Sequence, residues 1–177
     1  MLNANTAIKK RSHAEPTVPQ KQEIIDETAL FYKLLPSATL SDSKVTGIKI
    51  DKKRLSIAFL VNATGTELIN PIVIGHNKKP RSFGNWNPNS IVDYYFNSNA
   101  WMTMDIFSDW LLKLNNKMKI FNRHILLLID NAGGHNITEE TKKKLTHVNL
   151  EYFDPNVTSH IQPLDMGIIR SFKDKPE

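Results

Sequence analysis

The chain has 177 residues, no cysteine, a formal net charge of +5 and a hydrophobic content of 40%. This length suits one domain with its own core, and the composition is typical of a globular protein. The lack of cysteine excludes disulfides, thiolate zinc sites and a cysteine nucleophile. The modest basic excess suits a polyanionic partner, although an ordinary solvated surface is the simpler explanation for it.

Residues 1–22 are predicted to form a disordered basic tail, because they are polar, contain two prolines and show no sustained period. Within them, "KKR" at 9–11 is a short match to a nuclear-import patch, and nothing resembles the apolar core of a signal peptide. The longest strictly apolar run, "ILLLI", is far too short to cross a bilayer. We therefore expect an intracellular, soluble protein without a membrane partner.

Strands are predicted in the first half of the remaining chain. Ile24 and Ile25 indicate a short buried strand that ends at Asp26. "RLSIAFLV" and "LINPIVIG", joined by the turn "NATGTE", predict a hairpin, and Pro71 indicates an edge strand or a bulge in its second strand. Residues 76–100 have the composition of a polar connection with scattered aromatic side chains.

Helices and strands alternate in the second half. "MTMDIFSDWLLKLNNKM" has a helical period, with Thr103 suited to the N-cap. "RHILLLID" is a continuous apolar run that predicts a central strand covered on both faces. A short polar helix capped by Thr138, a strand in "VNLEYF" and a helix in "DMGIIRSFKD" follow. The order predicts an α/β fold, a mixed sheet flanked by helices. The predicted core stripes are Met104, Phe107, Trp110, Leu111 and Leu114 in the first helix, and Ile168, Ile169 and Phe172 in the last.

Three aspartates stand out by their positions. Asp26 follows an apolar pair, Asp130 ends the central strand, and Asp165 stands where the last helix begins. Ligands of open α/β sheets gather at the carboxyl ends of strands, where such carboxylates can converge. Each aspartate also has a structural explanation. Asp26, beside Glu27, could be a solvated strand end. Asp130 could form an Asx-turn with Asn131, and Asp165 could be a helix cap.

Other catalytic constellations are missing from the sequence. It contains no P-loop, no HExxH and no GxSxG motif, and His135 and His147 are too far apart for a helical metal pair. Three carboxylates without cysteine favour Mg²⁺ or Mn²⁺, which prefer oxygen ligands. Two such ions can activate a water and steady the leaving oxygen of a phosphodiester. His135 deserves notice only because it closely follows Asp130.

Clusters of basic residues suit contacts to DNA phosphates, although solvated surface explains each cluster equally well. Trp86 and Trp101 could stack on bases, but packing is the commoner use of tryptophan. The candidate nucleic-acid-binding residues are Lys53, Arg54, Lys78, Lys79 and Arg81.

Five ordered blocks resemble the DDE superfamily endonucleases of the pogo/Tigger type, relatives of mariner transposases that include jerky-like and centromere-binding proteins. The blocks are "DETALFYKLLP", "LINPIVIGHNKKPR", "WMTMDIFSDWL", "LLLIDNAGGH" and "QPLDMGIIRSFK". The resemblance implies a ribonuclease-H-like fold and a catalytic triad of Asp26, Asp130 and Asp165 that binds two Mg²⁺ or Mn²⁺ ions. It also implies DNA hydrolysis and strand transfer, a nuclear location, and compatibility with a homodimer.

Some features depart from the family pattern. The stretch "PQKQEIID" is polar where a longer apolar strand is expected, and only the tail precedes it, so residues 23–177 are expected to be a catalytic domain truncated at both ends. Ala29 stands where a glycine is usual. A non-catalytic, domesticated or relic DNA-binding protein therefore remains the alternative to an active endonuclease, and an RNA-directed nuclease of the same fold is a third.

Overall fold

A computed structural model describes residues 21–32, 53–62, 67, 69–153 and 164–174, without the side chains of residues 165 and 166. Three α-helices, a π-helical turn and three short 3-10 turns accompany six strands within these ranges. The strands are β1 Lys21–Leu30, β2 Leu55–Asn62, β3 Ile72–Gly75, β4 Asp93–Phe96, β5 Ile125–Ile129 and β6 Val148–Tyr152. The helices are α1 Met104–Ile120, α2 Glu139–Lys144 and α3 Ile169–Lys173, and the π-helical turn is Leu164–Ile168.

The strands form one mixed sheet in the order β4-β3-β2-β1-β5-β6. β1, β5 and β6 are parallel, β3 and β4 are parallel, and β2 is antiparallel to both of its neighbours. Five strands therefore end at one edge of the sheet, where β2 begins. We call this edge the carboxyl edge, and ligands of such sheets gather there.

The larger core lies between the sheet and α1. The apolar stripe of α1 turns Phe107, Trp110 and Leu114 toward the sheet, and all three are buried. The helix begins at its predicted cap, because the Thr103 hydroxyl accepts a hydrogen bond from the Ile106 amide at 3.4 Å. We call this side of the sheet the α1 face.

A smaller cluster covers the opposite side, which we call the α3 face. Ile24, Leu164 and Ile169 are its buried members. The partly buried side chains packed around them are Phe59, Val61, Leu128 and Phe153. This cluster joins the π-helical turn and α3 to the middle of β1.

The α/β architecture, the hairpin, α1, the central strand β5, α2 with its cap and β6 are confirmed. Several details are wrong. β1 begins at Lys21 and continues through Asp26 to Leu30. β3 begins after Pro71 and lies inside the sheet, since it pairs with both β2 and β4. β4 lies within the stretch expected to be a connection.

Three residues of the predicted core stripes, Met104, Ile168 and Phe172, are exposed. Met104 is 42% exposed, although it lies three residues before the buried Phe107. Of the predicted stripe in the last helix only Ile169 is buried, and Ile168, which ends the π-helical turn, is exposed. Phe172 is half-exposed and packs edge-on against Phe59, with ring centroids 5.0 Å apart. None of the helices in the described ranges has the length and apolar character that crossing a membrane requires.

Candidate metal and nucleic-acid site

Two of the predicted triad residues lie level on neighbouring parallel strands. β1 and β5 pair with Ile24 opposite Leu128, so two residues further along Asp26 reaches the level of Asp130. Neighbouring strands are about 4.8 Å apart, which brings the backbones of these two residues close together at the end of β5. Asp26 is only 8% exposed and lies in the middle of β1, so it is not a solvated strand end.

Asp130 follows the last residue of β5 and accepts two hydrogen bonds at the same oxygen. Its Oδ1 accepts from the Ala132 amide at 3.3 Å, which is the Asx-turn anticipated as a structural explanation. The same Oδ1 accepts from Nδ1 of His135. The bond from His135 holds the pKa of Asp130 below its usual value, although burial acts in the opposite direction. Asp130 is therefore ionised at neutral pH, as a metal ligand must be.

His135 bridges two carboxylates across the α1 face. Its Nε2 donates to Oε1 of Glu27 at 2.8 Å, while Nδ1 donates to Asp130. Both ring nitrogens thus face acceptors, an arrangement that requires the protonated ring. Burial alone would lower the pKa of His135, but the bonds to Asp130 and Glu27 outweigh it and raise the pKa to about 9. The ring is 2% exposed and packs on Phe107, with centroids 5.0 Å apart.

The short turn Gly133–His135 is held against two other elements. The hydroxyl of Tyr152, in β6, donates to the carbonyl of His135 at 3.0 Å. On the other side, a Cβ at Gly134 would come within 2.8 Å of the carbonyl oxygen of Met102, just before α1. Glycine at this position therefore permits a close backbone approach that fixes where His135 lies.

β1 delivers polar side chains to both faces of the sheet, because successive residues of a strand alternate. Asp26 lies opposite Phe59 of the α3 face, and the next residue, Glu27, reaches His135 on the α1 face. The amide of Glu27 also donates to Oδ1 of Asp26 at 2.8 Å. The dipeptide thus links the candidate metal ligand to the buried histidine.

The backbone of Asp165 lies in the π-helical turn, directly after the fully buried Leu164. Leu164 packs in the same cluster as Ile24, two residues before Asp26 on the same face of β1. Asp165 lies inside this turn, so the expectation of a cap at the start of the helix is not met. The position of its side chain is outside the described part of the chain.

The donor chemistry at this point fits a hard divalent cation. Asp26 and Asp130 offer carboxylate oxygens, and the protonated His135 donates rather than accepts, so it serves Asp130 instead of a metal. Among the side chains that the structure describes, no three His, Asp or Glu groups converge to hold a metal ion. The Asp165 side chain, which the predicted triad needs, is not among these described side chains.

The predicted DNA-binding cations lie around the carboxyl edge. Lys53 and Arg54 precede β2, which begins at this edge, and Lys78 follows β3, which ends there. Lys79 and Arg81 continue from Lys78, and both are exposed. These positions place positive charge on the side of the sheet toward which β5 directs Asp130.

Sequence reasoning missed the role of Glu27 and gave His135 no role. Glu27 stands next to Asp26 and looks like a second solvated carboxylate, while its partner is 108 positions away in the chain. The sequence did contain one signal for Glu27: the polar residues "DET" interrupt an apolar segment that continues as a strand. Polar residues in the middle of a covered strand indicate partners or function.

Residues 52–175 match the family model described as DDE superfamily endonuclease. Asp130 and Asp165 lie within these residues, whereas Asp26 precedes them. CENP-B homolog protein 2 of Schizosaccharomyces pombe is 33% identical over 156 residues, which cover 84% of this chain and 30% of that protein. Tigger transposable element-derived protein 4 of Mus musculus is 31% identical over 154 residues, covering 85% of this chain and 29% of that protein. The chain thus spans about 30% of the length of these relatives.

A similar solved structure is the Mos1 transposase, in its paired-end complex with the left transposon end. It superposes with a TM-score of 0.51 over 87% of this chain and 41% of that chain, at 13% sequence identity. At this identity the likeness concerns the fold alone. It confirms the predicted ribonuclease-H-like architecture of a mixed sheet flanked by helices.

Proposed function

Because this chain belongs to the DDE superfamily endonucleases, of the pogo/Tigger type, we propose that it is a transposase-derived domain that cleaves DNA with divalent metal ions. The observation that supports this most is the pair Asp26 and Asp130, level on neighbouring parallel strands. The second carboxylate is held ionised by a buried histidine. A surface Asx-turn alone does not require such a buried partner.

Asp26, Asp130 and Asp165 are the proposed metal ligands and catalytic residues. Asp26 and Asp130 would share ions, and Asp165 would hold the second of two. When bound, Mg²⁺ or Mn²⁺ activates the attacking hydroxyl and neutralises charge on the leaving oxygen of a phosphodiester. Water and then a 3′-hydroxyl are the proposed nucleophiles of hydrolysis and strand transfer.

Glu27 and His135 have a positioning role in this proposal. His135 binds Oδ1 of Asp130, and Glu27 fixes the other end of the ring, so the carboxylate has one orientation. Groups that orient a metal ligand through hydrogen bonds typically change metal affinity about 10–100-fold when removed. Two buried ring hydrogen bonds therefore prepare Asp130 before any ligand arrives.

DNA is the proposed substrate, and the cations at the carboxyl edge are its proposed contacts. Lys53, Arg54, Lys78, Lys79 and Arg81 would bind phosphates, which position a duplex without reading its sequence. A nuclear location and a homodimer are both part of the proposal by family likeness. A contact through phosphates predicts affinity that falls steeply as salt rises.

The test is nicking of supercoiled plasmid in Mn²⁺ by the full chain, comparing wild type with Asp130→Asn. Cleavage is expected to fall more than about a hundredfold, since losing a ligand costs more than losing a group that orients one. Asp109→Asn is a matched control, because Asp109 is an exposed carboxylate of α1 that pairs with Lys113. Equal nicking by wild type and Asp130→Asn would refute the assignment.

The second candidate is a non-catalytic DNA-binding protein. The basic residues at the carboxyl edge favour it, because phosphate contacts need no metal ion. It predicts salt-sensitive DNA binding that persists in EDTA, together with no cleavage in Mn²⁺ by a folded wild-type chain. Metal-dependent cleavage that Asp130→Asn removes would exclude it.

A further inference from the structure

Trp101 is an exposed aromatic side chain on an ordered loop at the carboxyl edge. It lies between the end of β4 and the start of α1, and it is 54% exposed. Leaving a large aromatic surface in water forgoes the gain from burying it. A fixed, exposed tryptophan beside basic residues is therefore a candidate contact for a ligand.

The Asn97 side chain holds both backbone groups of Trp101. Its Oδ1 accepts from the amides of Asn99 and Trp101, both at 3.1 Å, and its Nδ2 donates to the carbonyl of Trp101 at 2.6 Å. The residue between them, Ala100, is fully buried with a φ of 48°. Its carbonyl accepts from the Ser56 hydroxyl of β2 at 2.7 Å. The chain thus accepts an unfavourable backbone conformation in a loop that fixes Trp101.

Arg54 covers part of the Trp101 ring. Its Cζ lies 3.9 Å from the ring centroid, which is within cation–π distance. The pairing orders the guanidinium beside an aromatic surface, and about half of the tryptophan remains in contact with solvent. Arginine and an aromatic ring together are the side chains on which proteins stack unpaired bases.

We propose that Trp101 and Arg54 form a stacking site for an unpaired base of the DNA substrate. The inference rests on the proposed function and adds a subsite to it. Charge complementarity selects the occupant, because Lys78 and Lys79 lie at the same edge and suit a phosphate backbone rather than an apolar partner. An unpaired base is required, because the faces of paired bases are covered by their neighbours in the duplex.

The sheet register gives the distance of this site from the candidate metal ligands. Phe59 pairs with Asp26, and Arg54 lies five residues before Phe59 toward the carboxyl edge. At the rise of an antiparallel strand this is about 17 Å along the sheet. The stacking site is therefore separate from the candidate metal ligands.

The experiment measures DNA binding in EDTA, where metal-dependent cleavage does not occur. The probes are a duplex with a short 3′ overhang carrying 2-aminopurine and a blunt duplex of the same sequence. We expect the full chain to quench the 2-aminopurine, and Trp101→Ala to abolish this quenching. Affinity for the overhang DNA should fall about tenfold in Trp101→Ala, with little change for the blunt duplex.

Three further variants control for folding and for loss of any aromatic side chain. Trp101→Phe keeps a stacking ring and should retain most of the overhang preference. Asn97→Ala keeps the ring but frees its backbone, so it should weaken quenching without removing it. Phe121→Ala removes an exposed aromatic residue at the opposite end of α1 and should change nothing.

Two outcomes would overturn the stacking site. One is Trp101→Ala binding overhang and blunt DNA as wild type does, with quenching intact. The other is an equal loss of affinity for both probes, which would make Trp101 a general contact. Because these measurements need no cleavage, they fail independently of the nicking assay with Asp130→Asn.

Discussion

The two faces of the sheet differ in how firmly they hold the candidate site. On the α1 face, Phe107, Trp110 and many other side chains form the main core, and His135 packs directly on Phe107. On the α3 face, three buried residues hold the turn that carries Asp165. The difference indicates that Asp130 is fixed by the principal core of the domain, while the third acid depends on a small satellite cluster.

Replacing Trp110 is expected to destabilise the main core on the α1 face. Trp110 is 1% exposed and lies in the centre of the α1 stripe, so Trp110→Ala leaves a large cavity. The free energy of unfolding is expected to fall by about 3–5 kcal/mol. Urea denaturation followed by circular dichroism measures this loss. A change below about 1 kcal/mol would contradict the assignment of the main core.

Replacing Leu164 tests how far the small cluster on the α3 face holds the π-helical turn. Leu164→Ala deletes the fully buried residue that anchors the π-helical turn to Ile24. We expect a loss of about 2–3 kcal/mol, the low end for such substitutions, because a small cluster can close around the gap. Titration with Mn²⁺ should also show weaker binding, since Asp165 follows Leu164. Unchanged Mn²⁺ affinity would separate the turn from the site.

Replacing His135 tests whether the α1 face positions Asp130. His135→Gln removes the positive charge and at least one of the two hydrogen bonds to carboxylates. Mn²⁺ affinity is expected to fall about 10–100-fold, as for other groups that orient a ligand. His147→Gln is the control, because His147 stacks on His124 at the opposite edge of the sheet. Equal effects of the two variants would argue against a specific role for His135.

Two glycine substitutions test whether the turn that carries His135 is packed closely against Met102, and their expected effect is smaller. A methyl group at Gly134 would meet the Met102 carbonyl at 2.8 Å, whereas at Gly133 it would meet nothing within 4 Å. Gly134→Ala should therefore cost about 1–3 kcal/mol by overpacking, and Gly133→Ala close to nothing. Thermal unfolding of both variants measures the contrast. Equal melting temperatures would show that the turn is not packed closely against Met102.

Parts of the fold with strong periodicity could be predicted from the sequence, and short paired elements could not. The five consecutive apolar residues of β5 predict a buried strand, and the apolar stripe of α1 predicts a helix with one buried face. β4 has four residues, two of them tyrosines, and owes its strand conformation to pairing with β3. Four residues are too few to establish a period, so the pattern there indicated only a connection.

In the candidate site, the polarity of neighbouring residues gave the wrong end for strand β1. β1 was expected to end at Asp26, because the next residues are polar. Instead, Glu27 binds His135 and Thr28 is buried, so the strand continues to Leu30. Asp26 and Asp130 could be selected by position, but their common level depends on strand register, which a single sequence does not reveal.

The proposed metal site is tested by calorimetric titration of Mn²⁺ into the full chain, comparing wild type with Asp130→Asn. We expect wild type to bind Mn²⁺ and Asp130→Asn to lose most of this binding, while circular dichroism shows an unchanged fold. Asp109→Asn, which changes an exposed carboxylate of α1 that pairs with Lys113, should bind as wild type does. Equal binding by wild type and Asp130→Asn, or no binding by a folded wild type, would contradict a metal site at this edge.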